Sequence, residues 1–447
     1  MLSPDQLKVC VIGAGPSGIT AAKNLRQVGI TNLVVYEKSH QVGGNWAFSL
    51  QQSHSSVFET THIISSKTLS QYLDFPFPQE YPDYPSHKQL LEYFQSYARE
   101  FDLLRFIRFQ TEVTAVRPAP NHRWQVTVNN GTTDTFDAVL VSNGHHWNPR
   151  MPTYPGTFTG QLLHSHDFKT NQPFRDQRVL VIGGGNSACD IAVETSRISQ
   201  RTVLSMRRGY YFIPKFMFGL PSDVVNAKLQ FLPKSLRTHL LKIGLDFSIG
   251  KPELYGLQKP DHQLLQTHPV VNSELLYFIR HGKIHPRPDI ARFEGQNVVF
   301  VDGQSEEIDV IIAATGFHIT FPFFEPGFVD FDGTEVPLYL KVFHADHPTL
   351  FFIGLIQPMG CIWPLADLQS KLVANTLIGN WHPPANIREL IEWEVNHPAY
   401  DFVKTPRHSV EVDYHLYSKA LLRHIPKDAP DWKDQFQNGQ PVGTHLR

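Results

Sequence analysis

Two stretches of this chain, 170 residues apart, share one grammar, and that duplication restricts the fold more than any other feature. The first runs from Val9 to Ile12, enters Gly13-Ala14-Gly15-Pro16-Ser17-Gly18, and continues at once in a helical pattern. The second runs from Val179 to Ile182 into Gly183-Gly184-Gly185-Asn186-Ser187-Ala188, with a helix expected over Cys189–Ser196. A strand that breaks into glycines and reopens as a helix suits a dinucleotide pyrophosphate. The first glycine permits the tight turn, the second lets the backbone approach the phosphates, and the third lets helix pack on strand, where alanine is tolerated. The helix N-terminus then offers N–H groups and a partial positive charge to the anion. One such motif is a weak signal; two at matched spacing are a strong one.

The spacing does match. Gly13 to Glu37 and Gly183 to Arg207 both measure 24 residues from first glycine to the end of the next strand. Each copy also closes on an apolar strand and a turn ending in glycine, Phe136 to Gly144 in one and Ile308 to Gly316 in the other. The expected fold class is α/β, with two doubly wound, Rossmann-like dinucleotide-binding domains. An acid at the second strand end bonds a free ribose 2′-hydroxyl, whereas arginine there accommodates a 2′-phosphate, because the guanidinium fork matches phosphate geometry and stays charged. Glu37 therefore points to FAD, and Arg207 with Arg208 to NADPH. The plainer reading of the two arginines is a solvated strand end.

Pro149 to Gly156 is dense in proline and glycine, which stops regular structure and marks a domain crossing. A second crossing follows Gly316, where Phe317 to Pro326 is rich in Phe and Pro. The FAD domain is thus expected in two parts, 1–150 and 320–447, with the NADPH domain, 151–319, inserted between them. A helical insertion at about 210–283 exceeds what a plain nucleotide-binding unit needs. It carries an aromatic cluster (Tyr210, Tyr211, Phe212, Phe216, Phe218) and helical stretches around Leu232–Ile243 and Ser273–Arg280. A lid, a partner contact and extra covering helices are its three readings.

Bulk properties exclude other classes. The 40 basic and 42 acidic residues nearly cancel, so no global field points to nucleic acid or an anionic membrane. No run of about 18 apolar residues suggests a spanning helix. No signal peptide precedes the strand that begins at Lys8–Val9, and Pro426 to Arg447 is too polar for a membrane tail. Cys10, Cys189 and Cys361 lie far apart, against a disulfide framework and in keeping with a reducing cytoplasm. No Cys/His set has a closed zinc spacing, so no metal is expected, and no GxSxG elbow suggests a hydrolase. His145-His146, His164-x-His166 and His344-x-x-His347 read as surface or linker histidines.

The chain resembles the flavin-containing monooxygenases, class B flavoproteins, over nearly its full length. The matching residues are Gly13 to Gly18, Gly43-Gly44-Asn45-Trp46, Phe158 to Ser165, Gly183 to Ala188, Ala314-Thr315-Gly316-Phe317 and Gly354-Leu355-Ile356-Gln357-Pro358. The linker Phe158-x-Gly160-x-x-x-His164, with an aromatic at Phe168, is the most specific of them. The resemblance implies FAD and NADPH on two domains, hydride transfer to the flavin, a C4a-hydroperoxyflavin formed with O2, and transfer of one oxygen to nitrogen or sulfur of a small lipophilic substrate. Baeyer–Villiger oxygenation of ketones is the alternative, as is an NADPH oxidase or reductase releasing H2O2. A homodimer is a further expectation of the resemblance.

The resemblance also assigns residues. His164 and Gly160 belong to a hinge that seats the nicotinamide, although His164 could equally be a linker residue bonding backbone. His62 and Ile64 are catalytic candidates near the flavin: Ile64 stands where many members carry Asn three residues before a Lys, here Lys67. Relatives with ketone-oxygenating activity carry a His in this region. Phe168 replaces a usual Tyr or Trp. The expected cofactor-binding residues are Gly13, Gly15, Pro16, Ser17, Gly18, Glu37, Lys38, Gly44, Asn45, Trp46, His62, Val113, Gly183, Gly185, Asn186, Ser187, Arg207, Arg208, Thr315, Gly316, Phe317 and Gln357. Among these, Asn186 and Ser187 are expected on the NADPH phosphates through backbone and side chain, Gln357 near the flavin ring, and Trp46 either on the flavin or in the core.

Overall fold

The computed structural model describes residues 3–51, 53–329, 331, 335–397, 402–403, 409–427 and 429; the polar stretch 430–447 lies outside the described residues. The chain forms two compact units, one of Met1–Ala47, Lys67–His145 and Ile319–Arg447, the other of Phe48–Ser66 and His146–His318.

In the first unit, β1 (Val9–Ile12) is apolar and buried throughout, α1 (Pro16–Gln27) follows the glycines, and β2 (Leu33–Tyr36), β3 (Ile107–Arg108) and β4 (Ala138–Val141) complete its front half. β1 lies between β2 and β4, parallel to both, with Val9 opposite Leu33 on one side and Ala138 on the other. Strands covered on both faces read as continuous apolar runs, which is how Val9-Cys10-Val11-Ile12 reads.

The second unit repeats the plan. Its elements are β5 (Gln161–His164), β6 (Arg178–Ile182), α2 (Asn186–Ser196) and β7 (Arg201–Ser205), then α3 (Lys234–Ser248) and α4 (Leu275–Arg280), then β8 (Ile284–Arg287) and β9 (Val310–Ala313). The five strands form a parallel sheet in the order β5-β9-β6-β7-β8. Within this unit Phe317–His318 pairs antiparallel with Asn148–Pro149. Within the insertion the aromatic cluster divides. Tyr210 and Phe212 are buried, whereas Phe218 is 83% exposed, and α3 turns Leu236, Leu240, Ile243 and Phe247 outward.

The chain then returns to the first unit with β10 (Leu338–Tyr339), β11 (Phe343–His344), β12 (Leu350–Phe352) and the almost wholly buried α5 (Ile362–Leu377). The complete sheet runs β10-β11-β12-β4-β1-β2-β3. α5 is tied to α1 by a buried charge cluster: Lys23 Nζ lies 2.6 Å from Asp74 and 2.9 Å from Asp367, and Asn24 donates to Asp367 at 2.8 Å. Among the described residues, no helix is long and apolar enough to cross a membrane.

Two stretches depart from the sequence reading, which keeps residues 48–66 and 146–150 in the first domain. They pack in the second unit instead. Glu59 N donates to Lys169 O at 2.9 Å, Lys169 Nζ donates to Ser55 O at 2.5 Å, and Ser66 N donates to Asp223 at 2.6 Å. Phe58 sets its ring edge against Phe168 at 5.2 Å. These contacts form between residues far apart in sequence, so no local pattern announces them.

Candidate functional site

In the first unit, glycine-bearing segments close around the start of α1. Gly13 has φ +99, and a Cβ there would lie 2.7 Å from Ser142 O; at Gly18 it would lie 1.9 Å from Gly13 O. Only glycine satisfies that turn and that helix–strand approach. Gly44 faces Gly15, where an added Cβ would come within 2.9 Å of the Gly15 Cα, and Gly43 N donates to Ala14 O at 3.2 Å. Gly15 differs: a Cβ there would meet the protein only at ordinary contact, 3.5 Å from Gly44 Cα. Helix α1 begins at Gly15 with Pro16 in its first turn and no side chain capping it, which leaves its N-terminus for an anion.

Glu37, buried at the end of β2, accepts from Ala14 N at 2.7 Å and Ser39 N at 2.8 Å. Two backbone donors fix the carboxylate beside the glycine turn and leave lone pairs for a ribose hydroxyl. Lys38, next to it, is exposed. Trp46 packs edge-on against Trp363 at 5.9 Å, which favours its core reading, and Asn45 sits beside it in the same short turn. Val113 is buried in the apolar core with Cys10 and Ile12. Sequence reasoning underrated Gly354: a Cβ there would strike Ser17 Oγ, and its N–H donates to the buried Gln369 amide at 2.8 Å. Its signal was a third strand ending in glycine, Phe351 to Gly354. These residues fit a flavin dinucleotide.

The second unit builds the same device. Gly183 has φ +135, and a Cβ would lie 2.4 Å from Ala314 O, the counterpart of the Gly13–Ser142 contact. Gly185 N-caps α2 without a side-chain bond, Ala188 is buried in the third-glycine place, and Ser187 is exposed. Asn186 departs from expectation. Its side chain accepts from Val271 N at 2.7 Å and donates to Pro269 O at 3.3 Å, so the amide clamps the insertion rather than facing a phosphate. Past β7, Arg207 is exposed, while Arg208 lays its guanidinium 5.5 Å over the buried Tyr210 ring. Among the described residues, the buried Arg208 Nε has no hydrogen-bond partner. Tyr210 presses on Gly184, where a Cβ would meet the ring at 2.1 Å. An orphaned guanidinium nitrogen beside the glycine loop fits a phosphorylated nucleotide.

The linker residues have structural partners. A Cβ at Gly160 would lie 2.4 Å from Asp309 O, so backbone approach explains that glycine. His164 is buried; its Nδ1 accepts from His166 N at 3.0 Å, which leaves Nε2 to donate to Gly316 O at 3.0 Å. Burial pulls its pKa down to about 4, so the ring is neutral. Thr315 Oγ1 donates to Arg150 O at 2.5 Å, and the Phe317 ring meets His164 at 5.1 Å. Phe168 is buried between Phe58 and Phe174. His62 is exposed, with Nδ1 2.9 Å from Thr60 O, and both it and the half-buried Ile64 belong to the second unit. His145 proves buried rather than superficial; burial lowers its pKa to about 4, against a hydrogen bond with Gln357.

The flavin-binding monooxygenase-like family matches residues 6–431. The chain belongs to that family. Flavin-containing monooxygenase 5 of the mouse, Mus musculus, is 35% identical over 432 residues, 91% of this chain and 80% of the mouse protein. Two solved structures share the fold. S-allyl-L-cysteine S-oxygenase from Allium sativum has a TM-score of 0.71 at 24% identity, covering 96% of this chain and 90% of its own. ε-Caprolactone-bound cyclohexanone monooxygenase has a TM-score of 0.70 at 18% identity, covering 93% and 97%. As a member of the flavin-binding monooxygenases, the chain is an oxidoreductase that uses FAD and NADPH.

Proposed function

We infer that this flavin monooxygenase transfers one oxygen atom of O2 to the nitrogen or sulfur of a small lipophilic substrate at the expense of NADPH. The observation that carries the cofactor assignment is the contrast at two equivalent strand ends, a fixed carboxylate at Glu37 and the guanidinium pair Arg207–Arg208. Gly13, Gly15, Pro16, Ser17, Gly18, Glu37, Gly44 and Gly354 would hold FAD. Gly183, Gly185, the backbone of Asn186, Ser187, Arg207, Arg208 and the turn Thr315–Phe317 would hold NADPH. When bound, the flavin supplies the hydride acceptor and the O2 chemistry. The protein's own share is to grip phosphates with backbone N–H groups, to fix Glu37 toward a ribose, and to hold the Gly316 turn through the neutral His164.

The Allium sativum neighbour is named for sulfur oxygenation, which supports the sulfur reading. Cyclohexanone monooxygenase supports a second reading, oxygenation of a ketone to an ester or lactone. A panel of sulfides, amines and ketones separates them when NADPH and O2 consumption are read beside product mass. Sulfoxide or N-oxide is the expected product; lactone from ketones alone replaces it with the second reading, and H2O2 alone makes the protein an oxidase. The buried thiols Cys10, Cys189 and Cys361 support a cytoplasmic setting. A homodimer belongs to the same proposal, with light scattering as its test.

A further inference from the structure

The insertion reaches back to the strand end that carries the arginines. Gln258 Nε2 donates to Met206 O at 2.9 Å, and Gly209 lies so close to the 258–259 backbone that a Cβ would sit 2.4 Å from Gln258 O. The next residues form a chain of bonds. Asp261 Oδ1 lies 2.9 Å from Nδ1 of the nearly buried His262, whose Nε2 lies 2.9 Å from Thr267 Oγ1. Tyr211 sets its ring against His262 at 5.6 Å. His262 and Thr267 are thus spent in holding the loop, and the Asp261 carboxylate stays 68% exposed at its edge. The His262 hydrogen bond, with the Arg208 charge adding to it, holds that carboxyl below the usual range. Among the described residues, Arg208 Nε has no hydrogen-bond partner.

We propose that Asp261 is a specificity-determining residue, a fixed negative charge on the insertion that opposes a 2′-phosphate at Arg208 and so tempers the preference for a phosphorylated over an unphosphorylated nicotinamide dinucleotide. This rests on the assignment of the second cradle to NADPH. The loop that carries Asp261 packs on the backbone of residues 206–209, and a carboxylate held there competes with the incoming dianion for the Arg208 guanidinium and repels it directly. A ribose bearing only a hydroxyl meets neither effect. The insertion therefore sets how selective the arginine pair can be, and the 2′-phosphate preference is smaller than Arg207 and Arg208 alone would give.

The test is equilibrium binding of NADP+ and NAD+ to the FAD-loaded protein. Asp261→Asn should tighten NADP+ about threefold to fivefold, the size expected of one exposed charge pair, and leave NAD+ unchanged. The gain should shrink in high salt. Asp261→Glu keeps the charge and should bind both like wild type, which guards against a collapsed loop. In Arg208→Ala the Asp261→Asn gain should shrink to the part that comes from direct repulsion of the dianion. NADP+ affinity that is unchanged or weaker in Asp261→Asn, or an equal change for NAD+, overturns the proposal. Wild type with no preference for NADP+ over NAD+ overturns the cofactor assignment itself, a separate result read before any variant is made.

Discussion

The Nε2 of His164 lies 3.0 Å from the carbonyl oxygen of Gly316, and the same carbonyl accepts from Arg150 N at 3.0 Å. The end of β5 is thereby pinned to the turn that leaves β9. With Nδ1 occupied by His166 N–H, the ring has one usable tautomer. His164→Ala should leave the buried His166 N–H without an acceptor and cost about 1–3 kcal/mol in chemical denaturation. NADP+ binding should weaken while bound flavin stays at the wild-type level. Full flavin loss with intact NADP+ binding contradicts this placement.

Stability should fall as pH drops from 7 to 4. His145, His164 and His344 are each lowered by burial to about 4, against 6.5 for the free side chain. Between those values the unfolded chain binds more protons than the native one, so stability rises with pH across the window and is fully present above about 6.5. Asp190, raised by burial to about 6, acts in the opposite sense, as do the Asp74 and Glu394 carboxyls, while His285, His347 and His424 are lowered like the three named rings. A melting temperature as high at pH 5 as at pH 7.5 would show that these rings are not buried neutral.

The two first glycines give a paired test. Gly13→Ala and Gly183→Ala each place a methyl against a carbonyl oxygen at positive φ. Gly13→Ala should purify colourless. Gly183→Ala should stay yellow and lose NADP+ binding. Gly15→Val should also abolish flavin binding, because its side chain would stand where the second glycine lets the backbone approach a pyrophosphate. Absorbance at the flavin band and NADP+ titration read all three.

Arg207→Ala should weaken NADPH roughly tenfold or more, the size of a lost bond to a charged group, and leave NADH nearly unchanged. Arg208→Ala should do the same and also release the Tyr210 ring. KM values for the two cofactors decide it; equal losses would remove the 2′-phosphate assignment.

Lys23→Met should cost about 3–5 kcal/mol, because it strands Asp74 and Asp367 as buried carboxylates without their cation. Since the cluster ties α1 to α5, flavin affinity should fall with it. A variant as stable as wild type in urea would mean that these carboxylates take up protons at little cost.

The sequence by itself determined the two glycine cradles, their 24-residue spacing and the choice of Glu37 in one and Arg207 in the other. These are local matters: a strand, a turn and the residue at the next strand end, each set by backbone sterics and charge within a few dozen residues. Only the tertiary structure placed 48–66 in the second unit, turned the Asn186 amide onto Pro269 and Val271, buried His145 and brought Gly354 against Ser17. Those outcomes depend on which distant backbone groups need partners once the sheets form, and that need leaves no period or motif in the chain.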